Sequence, residues 1–234
     1  KNPLTFDSYA ELGALFRALN YATDIKAVVV TGAGGNFCSG GDVFEIIGPL
    51  TKMSMPEMLE FTRMTGDLIK AMRNCPQPII GAIDGICAGA GAMMALACDM
   101  RFCAQNAEFA LQDAKWGFHA CDGGLIRLPQ IVGMGHAMEI VLSGERIDAD
   151  HAYRIGLVNR VDFHDAEPGE AGDDAGGHPF ATGVDDRCAS RNRDSSPPEA
   201  ILLIGPAGAP GFVATVNATA SRPSGPASAA TTSV

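Results

Sequence analysis

Two short apolar runs constrain this chain more than any other feature. IKAVVVT (25–31) and PIIGAID (78–84) each give way at once to small residues, Gly32–Asp42 after the first and Asp84–Gly91 after the second. A continuous apolar run of this length, rich in β-branched residues, suits a strand covered on both faces, which is the habit of a parallel sheet. Parallel strands need long crossovers, and the intervening sequence supplies them. Ser8–Asn20 places Leu12, Leu15, Phe16 and Leu19 on one helical face, and a longer helical stretch runs around Pro56–Asn74. Gly85 is expected to turn the second strand into an Ala-rich helix, Gly89–Cys98. Short strands at Arg101–Ala104 and Glu108–Gln112 follow. Helices come next, around Gly123–Ile131, Gly135–Ser143 and Asp148–Ile155, the last with Asp148 as its cap, before a closing strand at Leu157–Val161. The alternation predicts an α/β fold with right-handed crossovers.

Composition divides the chain near residue 163. Eight of its 14 prolines fall beyond that point, among scattered Gly, Ala, Ser and Thr. Only Glu199–Ile204 and Gly211–Val216 hold apolar clusters there. Residues 1–162 are therefore read as the folded core. Residues 163–234 bury too little surface to offset their ordering entropy, and are expected to be a disordered tail or a segment that is not native sequence.

With 27 acidic residues against 17 basic ones, the net charge is −10. A sequence-independent nucleic-acid binder needs a basic face, so that class is excluded, although one phosphate-bearing small ligand is not. No apolar run reaches membrane-spanning length, and no secretory leader is expected at the start of the chain. The seven cysteines are scattered without a C-x-x-C pair, mostly in apolar surroundings. They predict buried free thiols in a reducing cytosol rather than a disulfide framework or a zinc site.

The first small-residue loop invites a dinucleotide reading, but that reading fails. G-x-G-x-x-G counted from Gly32 needs glycine where Phe37 stands, and neither loop ends in the G-K-[ST] of a phosphate loop. What remains is the pairing itself: two loops of small residues, each after a parallel strand, the second leading into a helix whose first N–H groups are free. Two backbone donors converging from such loops would form an oxyanion hole. For either loop alone, tight turns and close packing would be explanation enough. The paired occurrence favours function.

Three stretches carry a family likeness: GAGGNFCSGGDV, then PQPIIGAIDGICAGAGAMMALACDMRFCAQNAEFAL, then LPQIVGMGHAMEIVLSGERIDADHAYRIGLVNRV. Over about residues 1–162 the chain resembles the crotonase (enoyl-CoA hydratase/isomerase) superfamily. The resemblance implies a spiral of ββα turns, here without the family's usual N-terminal strands and C-terminal helices. It also implies an acyl-CoA thioester ligand and trimers that pair into hexamers. Mapped by motif, the thioester carbonyl would accept hydrogen bonds from the backbone N–H groups of Gly41 and Ala90. The bonds would strengthen as the carbonyl becomes an enolate oxyanion. Asp42 is read as serving nearby backbone amides.

The acid–base positions depart from the type hydratase, which has one Glu in the helix after the second loop and another further on. Met93 fills the first position and cannot move a proton. Asp113, in LQDAKWG, fills the second, and Asp122, in HACDGG, lies where some members of the family place a catalytic acid or base. A solvated loop or a helix cap would account for either aspartate; Asp122 is preferred for chemistry. Met93, Trp116 and Phe118 are read as lining the acyl pocket or packing the core. His119, Cys121 and Asp122 lack supporting ligands for a metal. Cys38 and Cys87 lack a neighbouring base, and Glu139 and Glu145 are surface charges. The expectation is thus a cytoplasmic enoyl-CoA hydratase of fatty acid metabolism, with no cofactor beyond the coenzyme A of its substrate, no nucleic-acid or membrane partner, and a homotrimer or hexamer. An isomerase or lyase of the same family, or a non-catalytic fragment that binds CoA thioesters, are the alternatives.

Overall fold

The computed structural model describes residues 1–50 and 52–162, with two further backbone strands at 200–206 and 212–217. The first helix, α1 (Phe6–Leu19), starts where Thr5 accepts the Ser8 N–H at 3.2 Å. It buries Leu12, Phe16 and Leu19, as their spacing predicts. Each side chain of that size stabilises the fold by about 1.5–3 kcal/mol when fully buried. Strand β1 (Ile25–Thr31) follows, then a π-helical turn (Val43–Ile47) and a single turn, α2 (Gly48–Leu50). The long helix α3 (Met55–Asn74) opens on a capping box between Ser54 and Glu57 and packs against α1. Its buried residues Leu68, Ile69 and Met72 belong to the same core.

The chain then alternates between two sheets. β2 (Ile79–Ile83) pairs in parallel with β1, in the register Val28↔Ile79 to Thr31↔Ala82. β3 (Ile86–Ala88) belongs to the second sheet, and α4 (Ala90–Ala97) follows it. The next turn repeats the pattern, with β4 (Met100–Ala104) on β2 and β5 (Glu108–Ala110) on β3, both parallel. A 3-10 turn (Asp113–Trp116), α5 (Gly124–Val132) and α6 (Met134–Ser143) complete it. Last come β6 (Arg146–Asp148), antiparallel to β5, then α7 (Ala149–Arg154) capped by Asp148, and β7 (Arg160–Asp162) on β4. One strand in each sheet, then helix, is the ββα turn expected of the family.

Two departures are local. Gly85 leads first into β3 and only then into the helix, and β6 stands where no strand was expected. Gly85 has a left-handed backbone (φ 52°), and a Cβ there would collide with the Gly35 carbonyl oxygen. The step from sheet to sheet therefore needs glycine.

A third departure concerns residues 163–234, which were expected to lack regular structure. Strand β8 (Ala200–Pro206) lies parallel to β1, with Ile25 opposite Ala200 and Val30 opposite Ile204. Strand β9 (Phe212–Asn217) pairs antiparallel to β8. These strands fall on the two apolar clusters of the segment; β1 offers an unpaired edge, and an extended apolar run satisfies it. The large sheet then runs β7-β4-β2-β1-β8-β9. The rest of that segment, Cys188 included, lies outside the described residues.

Arg101 ties the end of α4 to the closing turn. It is 6% exposed, and its guanidinium donates to the carbonyls of Leu157 at 2.7 Å and Cys98 at 2.8 Å. Charge-assisted bonds to buried carbonyls contribute about 1.5–3 kcal/mol each. Arg101→Leu should therefore lower the unfolding free energy by about 3 kcal/mol, read from the urea midpoint at unchanged slope.

Candidate active site

The two small-residue loops are joined by a parallel bridge between Cys38 and Cys87. Cys38 N–H donates to the Ile86 carbonyl, and Ala88 N–H to the Cys38 carbonyl, both at 2.9 Å. Beyond the bridge the backbones stay in contact. A Cβ on Gly40 would lie 3.6 Å from the Ala90 nitrogen, and one on Gly91 would lie 2.5 Å from the Cys38 carbonyl oxygen. Gly41 and Ala90 each stand three residues beyond the bridged cysteine of their own loop, Cys38 and Cys87.

Among the described residues, neither N–H has a hydrogen-bond partner. The Leu4–Gly41 bridge uses the Gly40 carbonyl and the Asp42 N–H, each bond 2.8 Å long, and leaves the Gly41 N–H unused. Ala90 opens α4 and so has no acceptor one turn back. Gly89, with φ 51°, places its own N–H on the Ala110 carbonyl at 2.9 Å, which fastens the second loop to β5. Asp42 has the structural role expected of it: Oδ1 accepts the N–H groups of Phe44 at 2.8 Å and Glu45 at 2.9 Å.

Both candidate carboxylates are half-buried and within electrostatic reach of one another. Asp113 opens the 3-10 turn just after β5, and its Oδ2 is buried with no hydrogen-bond partner among the described residues. Burial pushes its carboxyl above the usual carboxylate range. Asp122 does not cap α5, whose cap position is Gly123. Its Oδ1 instead accepts the Thr65 hydroxyl of α3 at 2.8 Å. Burial raises the Asp122 carboxyl too; the Thr65 bond opposes this, and the charge of Asp113 adds to it. Asp122 also has φ 50°, an unusual backbone for a residue other than glycine.

Met93 lies one helical turn into α4 from Ala90 and is 3% exposed. It presses on the corner that carries Asp122: a Cβ on Gly124 would meet the Met93 sulfur, and would also lie 3.1 Å from the Ala120 Cβ. The helix that begins with a free N–H thus packs, through Met93, against the loop that bears the second carboxylate. For Trp116 and Phe118 the core-packing alternative is not met. They are 74% and 40% exposed, so neither ring packs into the core of this chain. The 3-10 turn and the left-handed Gly117 (φ 83°) carry that stretch along the surface.

A solvent-open groove that the sequence did not single out begins two residues beyond Gly41. It measures about 710 Å³, and Val43, Phe44, Pro49 and Met53 form its apolar wall, with Lys52 and Glu57 beside them. The apolar run VFEIIGPL after the first loop was its one sequence signal. Cys38 and Cys87 are buried free thiols, and burial raises Cys38 to about 11, so it is protonated and a poor nucleophile at neutral pH. Cys121 Sγ lies 3.9 Å from His119 Nδ1, and among the described residues no three His, Cys, Asp or Glu side chains converge as metal ligands.

The chain thus carries two abutting loops whose Gly41 and Ala90 N–H groups have no acceptor among the described residues, and two half-buried carboxyls of raised pKa. The family model described as enoyl-CoA hydratase/isomerase matches residues 1–167, and the chain belongs to that family. It is 32% identical over 168 residues to the peroxisomal Delta(3,5)-Delta(2,4)-dienoyl-CoA isomerase of Arabidopsis thaliana, covering 68% of this chain and 60% of the relative. It is 32% identical over 170 residues to the short-chain-enoyl-CoA hydratase of Clostridium acetobutylicum, covering 72% and 62%. Among solved structures, the enoyl-CoA hydratase of Bacillus anthracis superposes with a TM-score of 0.64 at 32% identity, over 68% of this chain and 61% of that one. The chain thus spans about three fifths of the length of these relatives.

The raised Asp113 carboxyl has a consequence for stability. A carboxyl that holds its proton more tightly folded than unfolded destabilises the fold as pH rises through its folded pKa. Asp113→Asn should therefore raise the melting temperature at pH 7, with the gain shrinking towards pH 4, as scanning calorimetry across that range would record.

Proposed function

We propose that this chain processes an acyl-CoA thioester, with hydration of an enoyl-CoA as its reaction. The observation that carries the reading is the pair of N–H groups of Gly41 and Ala90, which have no acceptor among the described residues, on loops joined by the Cys38–Cys87 bridge. In this reading the thioester carbonyl accepts both bonds, and they strengthen as negative charge gathers on the oxygen. One such donor is worth about 3 kcal/mol in the transition state. The acyl or pantetheine portion runs along the apolar wall that starts at Val43. Asp122 and Asp113 share the two tasks of hydration, activating water and protonating the α-carbon. Burial supports this assignment, because efficient proton transfer wants a pKa near the working pH.

Isomerisation is the second reading. It rests on the dienoyl-CoA isomerase among the relatives, and on the fact that a proton shuttle needs no water. The exposed stripe Met134, Met138 and Leu142 on α6, with Leu125 and Ile126 on α5, supports assembly into a trimer or a dimer of trimers. A cytoplasmic location belongs to the same proposal. It accords with the buried free thiols.

Crotonyl-CoA is the test substrate. Hydration removes the conjugated-thioester absorbance, whereas a dienoyl-CoA substrate reports isomerisation by a change in conjugation without uptake of water. Asp122→Asn should lower turnover by roughly 100-fold with little change in CoA affinity, and Asp113→Asn is its paired control. Full activity in both variants would remove the carboxylates from the reaction. Gly41→Pro deletes one donor N–H outright, and unchanged turnover in that folded variant would refute the oxyanion assignment.

A further inference from the structure

We propose that Thr65 is a positioning residue for Asp122, a single hydroxyl that satisfies the carboxyl in both of its protonation states. The inference deepens the role given to Asp122 above and rests on it. Thr65 sits mid-way along α3, 3% exposed, 57 positions from its partner. A helical threonine commonly turns its hydroxyl back on a carbonyl of the preceding turn. Thr65 has that option, with the Thr62 carbonyl 3.3 Å away, but its shorter contact is with Asp122 Oδ1 at 2.8 Å.

A hydroxyl carries one hydrogen and two lone pairs, so it cannot donate to both acceptors at once. When Asp122 is ionised, the carboxylate takes the donor, because a charge-assisted bond is the stronger. When Asp122 is protonated, its own O–H donates to Thr65 Oγ, and the threonine hydrogen swings to the Thr62 carbonyl. Thr65 keeps one proton throughout; the proton gained or lost by Asp122 is exchanged with the substrate or water. No buried polar atom of the pair is orphaned in either state, so the carboxyl cycles without the penalty of an unmade hydrogen bond. The backbone geometry adds to the case. Asp122 and Gly123 are both left-handed, with φ 50° and 83°, and this corner aims the side chain at α3.

Asp113, in the 3-10 turn, raises the Asp122 carboxyl by its charge, while the Tyr9 phenol of α1 and the neighbouring Cys121 thiol are themselves raised by the Asp122 charge and stay neutral. The Arg127 guanidinium of α5 lies against Gly123, the next residue in the chain. The Thr65 hydrogen bond lowers the Asp122 carboxyl.

The test titrates Asp122 directly, by the carboxyl carbon resonance in full-length protein, alongside turnover on crotonyl-CoA. Thr65→Val keeps the shape and removes the hydroxyl. It should raise the Asp122 pKa by about one unit, a tenfold change in the ionisation constant. The Asp122 limb of the pH–rate profile should move to higher pH by the same amount, and kcat should fall about tenfold with KM little altered. Thr65→Ser restores the hydroxyl and should restore all three; Thr65→Ala replaces the valine variant if that one does not fold. A valine or alanine variant with an unmoved Asp122 titration overturns the proposal, as does a serine variant that fails to recover it. Full activity in Asp122→Asn would refute the catalytic reading instead, and the titration would still decide the part played by Thr65.

Discussion

Everything at the candidate site depends on one short piece of parallel pairing, Cys38 against Cys87. Two hydrogen bonds convert two separate strand-to-helix connections into a single backbone unit. The pairing is possible because nothing larger than hydrogen stands on Gly91, where the Cys38 backbone crosses it. It is durable because both cysteines are shut away from water, where a backbone bond has no solvent competitor. From there the chain direction does the rest: each loop continues for three residues and arrives at an N–H that no acceptor in the described chain occupies. A donor pair made of backbone is held by the fold as a whole, so its alignment costs nothing at the moment a ligand binds.

The carboxyls are arranged on the opposite principle. Backbone donors gain from being fixed, whereas Asp113 and Asp122 sit where their charge is unwelcome, near each other and partly buried. The protein bears that cost through the rigidity around them: β5 anchors the start of one loop, Met93 packs under the other, and α3 supplies a hydroxyl. Local instability at a functional position, offset by packing elsewhere, is the common pattern of reactive sites.

The sequence revealed the parts of this structure that are written locally. β1 and β2 are apolar runs long enough to stand out, and α1 announces its buried face through Leu12, Phe16 and Leu19. Strands β3 and β6 have three residues each, too few to show any period, and they exist because a partner strand is there to receive them. The positions proposed as Gly41, Ala90, Asp113 and Asp122 were found through motif order, which records neighbours along the chain. The bond from Thr65 to Asp122 links residues that no motif connects, so it was invisible before the fold was known. Trp116 and Phe118 show the same limit from the other side. Their apolar character suggested a pocket, but whether this chain covers them depends on distant residues. Apolar clusters inside the Gly- and Pro-rich segment were visible too; the pairing of β8 with β1 depends on an edge far away in sequence.

The left-handed backbone at Asp122 also narrows the paths that mutation can follow. Few side chains tolerate such a conformation: glycine does so readily, and asparagine and aspartate more easily than the rest. A drifting lineage that keeps this corner intact is therefore channelled towards asparagine or glycine, each a single nucleotide change from an aspartate codon. Either replacement preserves the turn and discards the proton-carrying group. On the proposed chemistry, descendants of this protein that lose catalysis here would keep their shape and their thioester-binding loops. The fold thus carries a ready route from enzyme to binding protein, open at one residue.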